Sequence, residues 1–343
     1  MTQTYLITGG SGFIGSHLTE RLLERGDRVI VLDDLSTGSL DNLEAVRNHA
    51  GLRVEIGSVL DELKVDEMVH ECDVVVHLAA AVGVRLIVDQ PLRSFTTNIR
   101  GSEIVIGAAH RYRRKILVAS TSEVYGKNGS SKLSENSDRI LGPTAVTRWS
   151  YSTAKAVDEI LALAYHRERG LDSVIVRLFN TVGPRQSPAY GMVIPSLARQ
   201  AVRDEPLSVH GDGGQSRCFC HVKDVIEALV GLLDEPRAIG EVFNVGASRE
   251  ITILDLAHKI VEQAGSHSTI ELIPYEQAFA SGFEDMRRRV PDTAKIHDLI
   301  GWESKRTLDD ILAAAIDDAR SEHGDREQAL VIDIVREEYA GTA

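Results

Sequence analysis

Positive charge is the scarcer sign in this chain: 38 Lys and Arg stand against 51 Asp and Glu, a formal net charge of −13. A field of that sign does not gather nucleic acid or an anionic bilayer, although a local group of arginines can still hold a small anion. Cysteine is almost missing. Cys72, Cys218 and Cys220 are an odd count with no disulfide framework, which fits a reducing cytoplasm. Cys218 and Cys220, two apart on a strand, share one face and lack a second ligand pair, so no metal is expected. Long apolar runs are absent too: none reaches the ~18 uncharged residues needed to cross a bilayer. The first strand begins by Thr4, which leaves no place for a leader peptide, and a soluble cytoplasmic protein is expected.

What the chain does have is rhythm. Val-, Ile- and Leu-rich runs at 4–8, 28–32, 52–56, 73–77, 115–119 and 173–178 alternate with helical patterns at 12–25, 39–48, 61–70, 92–111 and 150–169. This is the pattern of a parallel sheet covered on both faces. After Gly183 the rhythm breaks into turns and scattered helices at 193–203, 222–233, 252–264 and 307–320. The expected architecture is α/β: a Rossmann-type doubly wound parallel sheet with a smaller α/β substrate-binding lobe. Residues 1–182 would bind the cofactor, 183–320 would form most of the partly interwoven lobe, and 321–343 would be a helical tail.

Two stretches carry chemistry. Gly9, Gly12 and Gly15 recur every third residue between the first strand and first helix, with Phe13 and Ile14 between the last two. Glycines there permit a tight turn and close approach of a pyrophosphate to the helix N-terminus. The second strand runs into Asp33-Asp34, carboxylates placed to accept from ribose hydroxyls and to repel a 2′-phosphate. NAD is therefore the expected cofactor. Tyr151 and Lys155 lie four apart on the helix 150–169, so phenol and ammonium share a face. A nearby positive charge is expected to draw the phenol towards neutrality and make it a base. Ala154, Val157, Ile160, Leu161 and Ala164 are read as the buried stripe of that helix.

Together with His77-Leu78-Ala79-Ala80, Asn98, Ser120-Thr121-Ser122 and Asn180-Thr181-Val182-Gly183-Pro184-Arg185, these stretches resemble the extended short-chain dehydrogenase/reductase family, from Thr4 to about Arg320. The resemblance implies an NAD-dependent enzyme acting on nucleotide-diphosphate sugars and oxidising the sugar at C4. It adds Ser36, Gly38, Leu78, Ala79, Ala80 and Asn98 to the cofactor site, where Tyr151 and Lys155 also belong. For the substrate it implies Arg85, Asn180, Arg185, His210, Arg217 and Arg289, and by analogy it implies a homodimer.

Within that family, Thr121-Ser122-Glu123-Val124-Tyr125-Gly126, Arg148-Trp149-Ser150-Tyr151 and Arg289-Val290-Pro291-Asp292 look like UDP-glucuronate decarboxylases. The catalytic set then implied is Tyr151, Lys155, Thr121, Ser122, Glu123 and Arg289. A C4 ketone is β to the C6 carboxylate of a glucuronate, so carbon dioxide can leave with its electrons delocalised onto the ketone oxygen. UDP-glucuronate is the favoured substrate, and UDP-xylose or the UDP-4-keto-pentose the product. The alternative is a UDP-hexose or UDP-hexuronate 4-epimerase, which turns the ketone over and needs no hold on C6; a dehydratase is a lesser one.

Overall fold

The computed structural model describes residues 2–82, 90–188, 192–278, 286–321 and 323. Six strands follow the expected rhythm: β1 (Thr4–Thr8), β2 (Arg28–Asp33), β3 (Leu52–Ile56), β4 (Val74–His77), β5 (Lys115–Thr121) and β6 (Ser173–Leu178). The inner strands bury both faces, as β4 does at every position, because helices cover the sheet on each side, whereas the edge strand β3 is only half-buried. Seven more are short: β7 (Thr181–Val182), β8 (Leu207–His210), β9 (Ser216–Cys218), β10 (Cys220–His221), β11 (Val242–Val245), β12 (Glu250–Thr252) and β13 (Ile270–Ile273). The large sheet is parallel throughout, in the order β11-β6-β5-β4-β1-β2-β3. The chain winds one way from β1 and the other way from β4. A crevice therefore opens at the carboxyl ends of these two strands, where such sheets bind ligands.

The second half does not stand apart. β11, which the sequence reading missed, closes one edge of the large sheet. The helix Val222–Asp234 packs Val222, Val225 and Leu229 into the same core as Tyr5, Val29 and Val76. The remainder, β8 with β13 and β9 with β12, packs with helices Val193–Val202, Ile253–Ala264 and 308–321 around Leu197, Leu256, Ile260 and Ile311. That small core faces the crevice from above.

Two helical readings change. The stretch 39–48 is a 3-10 helix over Leu40–Val46. The stretch 92–111 starts at Pro91 and passes through one π turn, Thr96–Arg100, before continuing as Gly101–Arg111.

The helix Ser150–Arg169 has the expected bounds and ends on Gly170 in the left-handed region (φ 69°), where the glycine N–H closes onto His166 O. Its buried face, however, is not the apolar stripe. Val157 and Ile160 are 37% and 58% exposed, whereas Tyr151, Lys155, Asp158 and Glu159 are buried with Ala154 and Ala162. The inward face is charged because it meets partners. Arg177 on β6 grips Glu159 through two hydrogen bonds of 2.7 and 2.9 Å, and its other end donates to the Tyr125 hydroxyl and Glu135 O. Tyr125 donates to Asn244 on β11, whose amide donates to Leu133 O and Asp292 O.

Removing one partner of a buried ion pair leaves the other charge uncompensated, at a cost of about 3 kcal/mol. Glu159→Ala should therefore lower the unfolding free energy from urea titration by about 3 kcal/mol, and an unchanged value would show that the helix does not depend on the pair.

Candidate active site

A single cleft of about 510 Å³ runs from the glycine turn, past Tyr151, to the small lobe. At one end Gly9 (φ 73°) starts the turn after β1, and Gly12 caps the helix Phe13–Glu24 in extended conformation. A Cβ on Gly15 would sit 2.1 Å from Gly9 O, and one on Gly9 would sit 2.8 Å from Ala79 N. Only glycine lets helix, turn and the β4 end approach so closely. Asp33 is 8% exposed, and its carboxylate accepts from Ser11 N and Leu35 N, both at 2.9 Å, so it braces the turn. Burial pushes its pKa up while those N–H donors pull it back. Asp34 accepts from Ser36 N at 3.0 Å. Gly9, Gly12, Phe13, Ile14, Gly15, Asp33, Asp34, Ser36, Leu78, Ala79 and Ala80 all line the cleft. A glycine cradle at a helix N-terminus, with carboxylates at the next strand's end, fits NAD.

Two expected cofactor residues act from behind. Gly38 packs on the backbone of Ser11 and Gly12, and Asn98 is 1% exposed, its amide clamping Ala81 N and Ala81 O. The π turn supplies the bend that aims Asn98 there; nothing in residue spacing announces it. Neither residue lines the cleft, which Thr97, Gly57 and Val59 do instead.

In the middle, β5 ends at Thr121 and a 3-10 turn, Ser122–Tyr125, begins, with Thr121 Oγ1 accepting from Glu123 N. This puts Thr121, Ser122 and Glu123 on the cleft beside Tyr151 and Lys155. The expected activation of the phenol by the ammonium is not what this structure holds. Lys155 Nζ is bound to Asp158 Oδ2 at 2.9 Å, both side chains almost wholly buried. Burial, followed by the charges of Glu123 and Asp158, pushes the Tyr151 phenol well above its ordinary range. The sequence reading missed Asp158, though its place seven residues after Tyr151 and three after Lys155 puts all three on one face.

Glu123 is the hub of the cleft beyond Tyr151. Arg148 holds it with two guanidinium contacts, one of 2.9 Å, and Arg289 Nη1 lies 3.6 Å away. Burial alone would raise this carboxyl, but the charge and hydrogen bonds of Arg148, with Arg289 and Arg217 behind them, hold it at about 2. Arg148, Arg217 and Arg289 are 5%, 7% and 7% exposed, so three guanidinium groups surround one carboxylate and leave the pocket net positive. Arg289 also donates to Asn180 Oδ1 at 3.1 Å, and Asn180 donates to Cys218 O. Arg287 and Arg288 turn outward, to Asp212 and Glu250. His210 lines the far end with Gln215 and Tyr275, its pKa lowered by burial.

Two substrate residues do not join this group. Arg185 pairs with Glu20 at 2.6 Å and donates to Ser16 Oγ, tying the first helix down, and does not line the cleft. Arg85 lies outside the described residues. Cys72, Cys218 and Cys220 are buried free thiols. Among the described residues no group of His, Cys, Asp and Glu forms a metal cage, and no helix is long and apolar enough to cross a membrane.

A doubly wound sheet with a glycine cradle, a tyrosine and lysine on one helix face and a cationic far wall defines a dinucleotide-dependent enzyme for anionic substrates. Residues 5–246 match the model of the NAD dependent epimerase/dehydratase family, and the chain belongs to that family. It is 39% identical, over 88% of its own length and 95% of the relative's, to a UDP-N-acetyl-alpha-D-glucosaminuronate decarboxylase of Bacillus cytotoxicus. It is 34% identical to UDP-glucuronic acid decarboxylase 1 of Arabidopsis thaliana, over 92% of this chain and 69% of that one. Among solved structures it resembles the UDP-glucuronic acid 4-epimerase of Bacillus cereus in complex with UDP-glucuronic acid and NAD, at 28% identity and a TM-score of 0.83, covering 93% and 99% of the two chains.

Two outcomes follow from the geometry. A methyl on Gly15 has nowhere to go, so Gly15→Ala should weaken NAD binding at least ~100-fold by calorimetry, on the scale of a lost preorganised phosphate site. Glu123 is held below its unfolded value, so its pairing stabilises the fold fully above about pH 4.5 and the gain is lost as pH falls towards about 2. The difference in unfolding midpoint between the parent and Glu123→Gln should therefore be constant near neutrality and shrink in acid. A difference that grew in acid would contradict the assignment.

Proposed function

We propose that this protein is an NAD-dependent UDP-glucuronate decarboxylase. The observation that carries the reading is the ionised Glu123, bound by Arg148 and approached by Arg289, opening onto the same cleft as Tyr151. The names of the relatives in Bacillus cytotoxicus and Arabidopsis thaliana, both decarboxylases of UDP-linked uronic acids, support it.

Gly9, Gly12, Gly15, Asp33 and Asp34 would hold NAD, which would supply the hydride chemistry needed at the sugar C4. The chain's own residues do the rest. Tyr151 takes the proton of the C4 hydroxyl, and Thr121 hydrogen-bonds the same oxygen and orients it. Arg217, Asn180 and Arg289 hold the diphosphate end, the guanidinium forks matching pairs of phosphate oxygens. Glu123, with Ser122 beside it, fixes Arg148 and Arg289 around C5 and C6. Held low by its arginines, Glu123 is ionised in the free protein, which suits a group that positions others. The enzyme would work in the cytoplasm as a homodimer; the free thiols suit the first, and the exposed Val157 and Ile160 on the Tyr151 helix suit the second.

The alternative, a 4-epimerase, is favoured by the Bacillus cereus likeness. Incubation with UDP-glucuronate and resolution of products by mass separates them: a product lighter by carbon dioxide supports the decarboxylase, an isobaric one the epimerase. Glu123→Gln should lower carbon dioxide release at least ~100-fold while NADH formation falls less than ~10-fold, the pattern of a group used after the first hydride transfer. Equal losses in both would remove Glu123 from the decarboxylation step.

A further inference from the structure

The helix that carries Tyr151 and Lys155 carries a third ionisable group in line with them. Asp158 lies behind Lys155, one turn further from the cleft, and does not line it. Its Oδ2 takes the lysine ammonium at 2.9 Å, with side-chain exposures of 3% for Lys155 and 1% for Asp158. A carboxylate buried only for stability is expected to have both oxygens satisfied. Here Oδ1 has no hydrogen-bond partner among the described residues. Ser102, on the helix Gly101–Arg111, lies near enough to pull the Asp158 carboxyl down a little, but its hydroxyl proton goes to Asn98 O at 2.6 Å.

Among the described residues the surrounding groups supply no other counter-charge in contact with Lys155. From β4, His77 faces it, pushed down to about 3 by burial and by Lys155, and thus neutral. Its ring sits between Thr8 Oγ1 and Ser102 Oγ at 2.7 and 3.0 Å. Glu159, next along the helix, is occupied by Arg177. Glu123 faces the phenol from the β5 side and is held by Arg148. Asp158 is thus the anion that sets how much of the lysine's charge reaches Tyr151.

We propose that Asp158 is a positioning residue that holds the Lys155 ammonium from its far side and weakens the positive charge that the lysine presents to the Tyr151 phenol. This rests on the reading of Tyr151 as the base, yet its test needs no sugar.

The measurement is the tyrosinate absorbance of the NAD-saturated protein titrated with base, from which the same titration of Tyr151→Phe is subtracted. Removing one buried charge at close range moves a pKa by about one unit or more. Asp158→Asn, paired with its own Tyr151→Phe control, should lower the Tyr151 midpoint by that amount. Asp158→Glu, which keeps the charge, should return it to within about 0.3 units of the parent, inside the effect expected of the charge itself. An Asp158→Asn midpoint equal to the parent's or above it overturns the proposal, even if the variant is less stable, because a merely structural role moves stability and not the phenol. Should Asp158→Asn fail to fold, Asp158→Ser, which also removes the charge, decides: a midpoint lowered by about one unit supports the proposal, and one at the parent's overturns it. No sugar nucleotide is present, so an error in the assigned substrate leaves this result unaffected and appears instead as the absence of product.

Discussion

One helix buries its charges, and the rest of the molecule is arranged to make that tolerable. Tyr151, Lys155, Asp158 and Glu159 all point inward along Ser150–Arg169. An unpaired ion in such a place is costly enough that each must meet a partner. Glu159 finds Arg177 on the neighbouring strand, and Arg177 passes the constraint to Tyr125, Asn244 and the backbone at Leu133 and Asp292. The same links that make the helix stable also fix the two segments bearing Glu123 and Arg289. Stability and site geometry are in this sense one network.

The electrostatics of the cleft divide it by task. At the cofactor end the carboxylates Asp33 and Asp34 and the backbone N–H groups of the glycine turn favour an uncharged ribose and a pyrophosphate. At the sugar end three buried arginines outweigh Glu123, in a chain whose net charge is −13. A local surplus against the overall sign suits a ligand with more than one anionic group. Glu123 prevents that surplus from becoming simple repulsion among guanidinium groups.

Much of this was legible in the residues. Strand and helix rhythm placed the first six strands, and the glycine spacing located the phosphate turn, since both depend on local backbone rules. The Tyr151 helix was bounded correctly, yet its buried side was misjudged. Hydrophobic spacing assumes that apolar residues go inside, and here Val157 and Ile160 lie outside because Arg177 and the cleft claim the other face. Spacing could place Lys155 a turn from Tyr151 but could not tell that Asp158 would take its charge. The family resemblance gave Arg185 to the substrate, and only the fold shows that Glu20, far away in sequence, takes it instead. β11 was hidden because a four-residue strand without alternation has no signal of its own until β6 is beside it.

The strap between Leu133 and Pro291 has a consequence for how the protein comes into being. Leu133 N donates to Val290 O at 2.9 Å and Asp292 N donates to Leu133 O at 2.8 Å, joining segments that synthesis separates by well over a hundred residues. Loop closure over such a span is slow compared with forming neighbouring strands and helices. As the chain leaves the ribosome, the nucleotide half gathers most of its strands early, whereas Arg289 can reach Glu123 only after about 160 further residues have been made. The wall that faces the sugar is thus the last part of the cleft to exist, and a polypeptide cut short before that point would have a cradle for NAD without the means to finish a substrate.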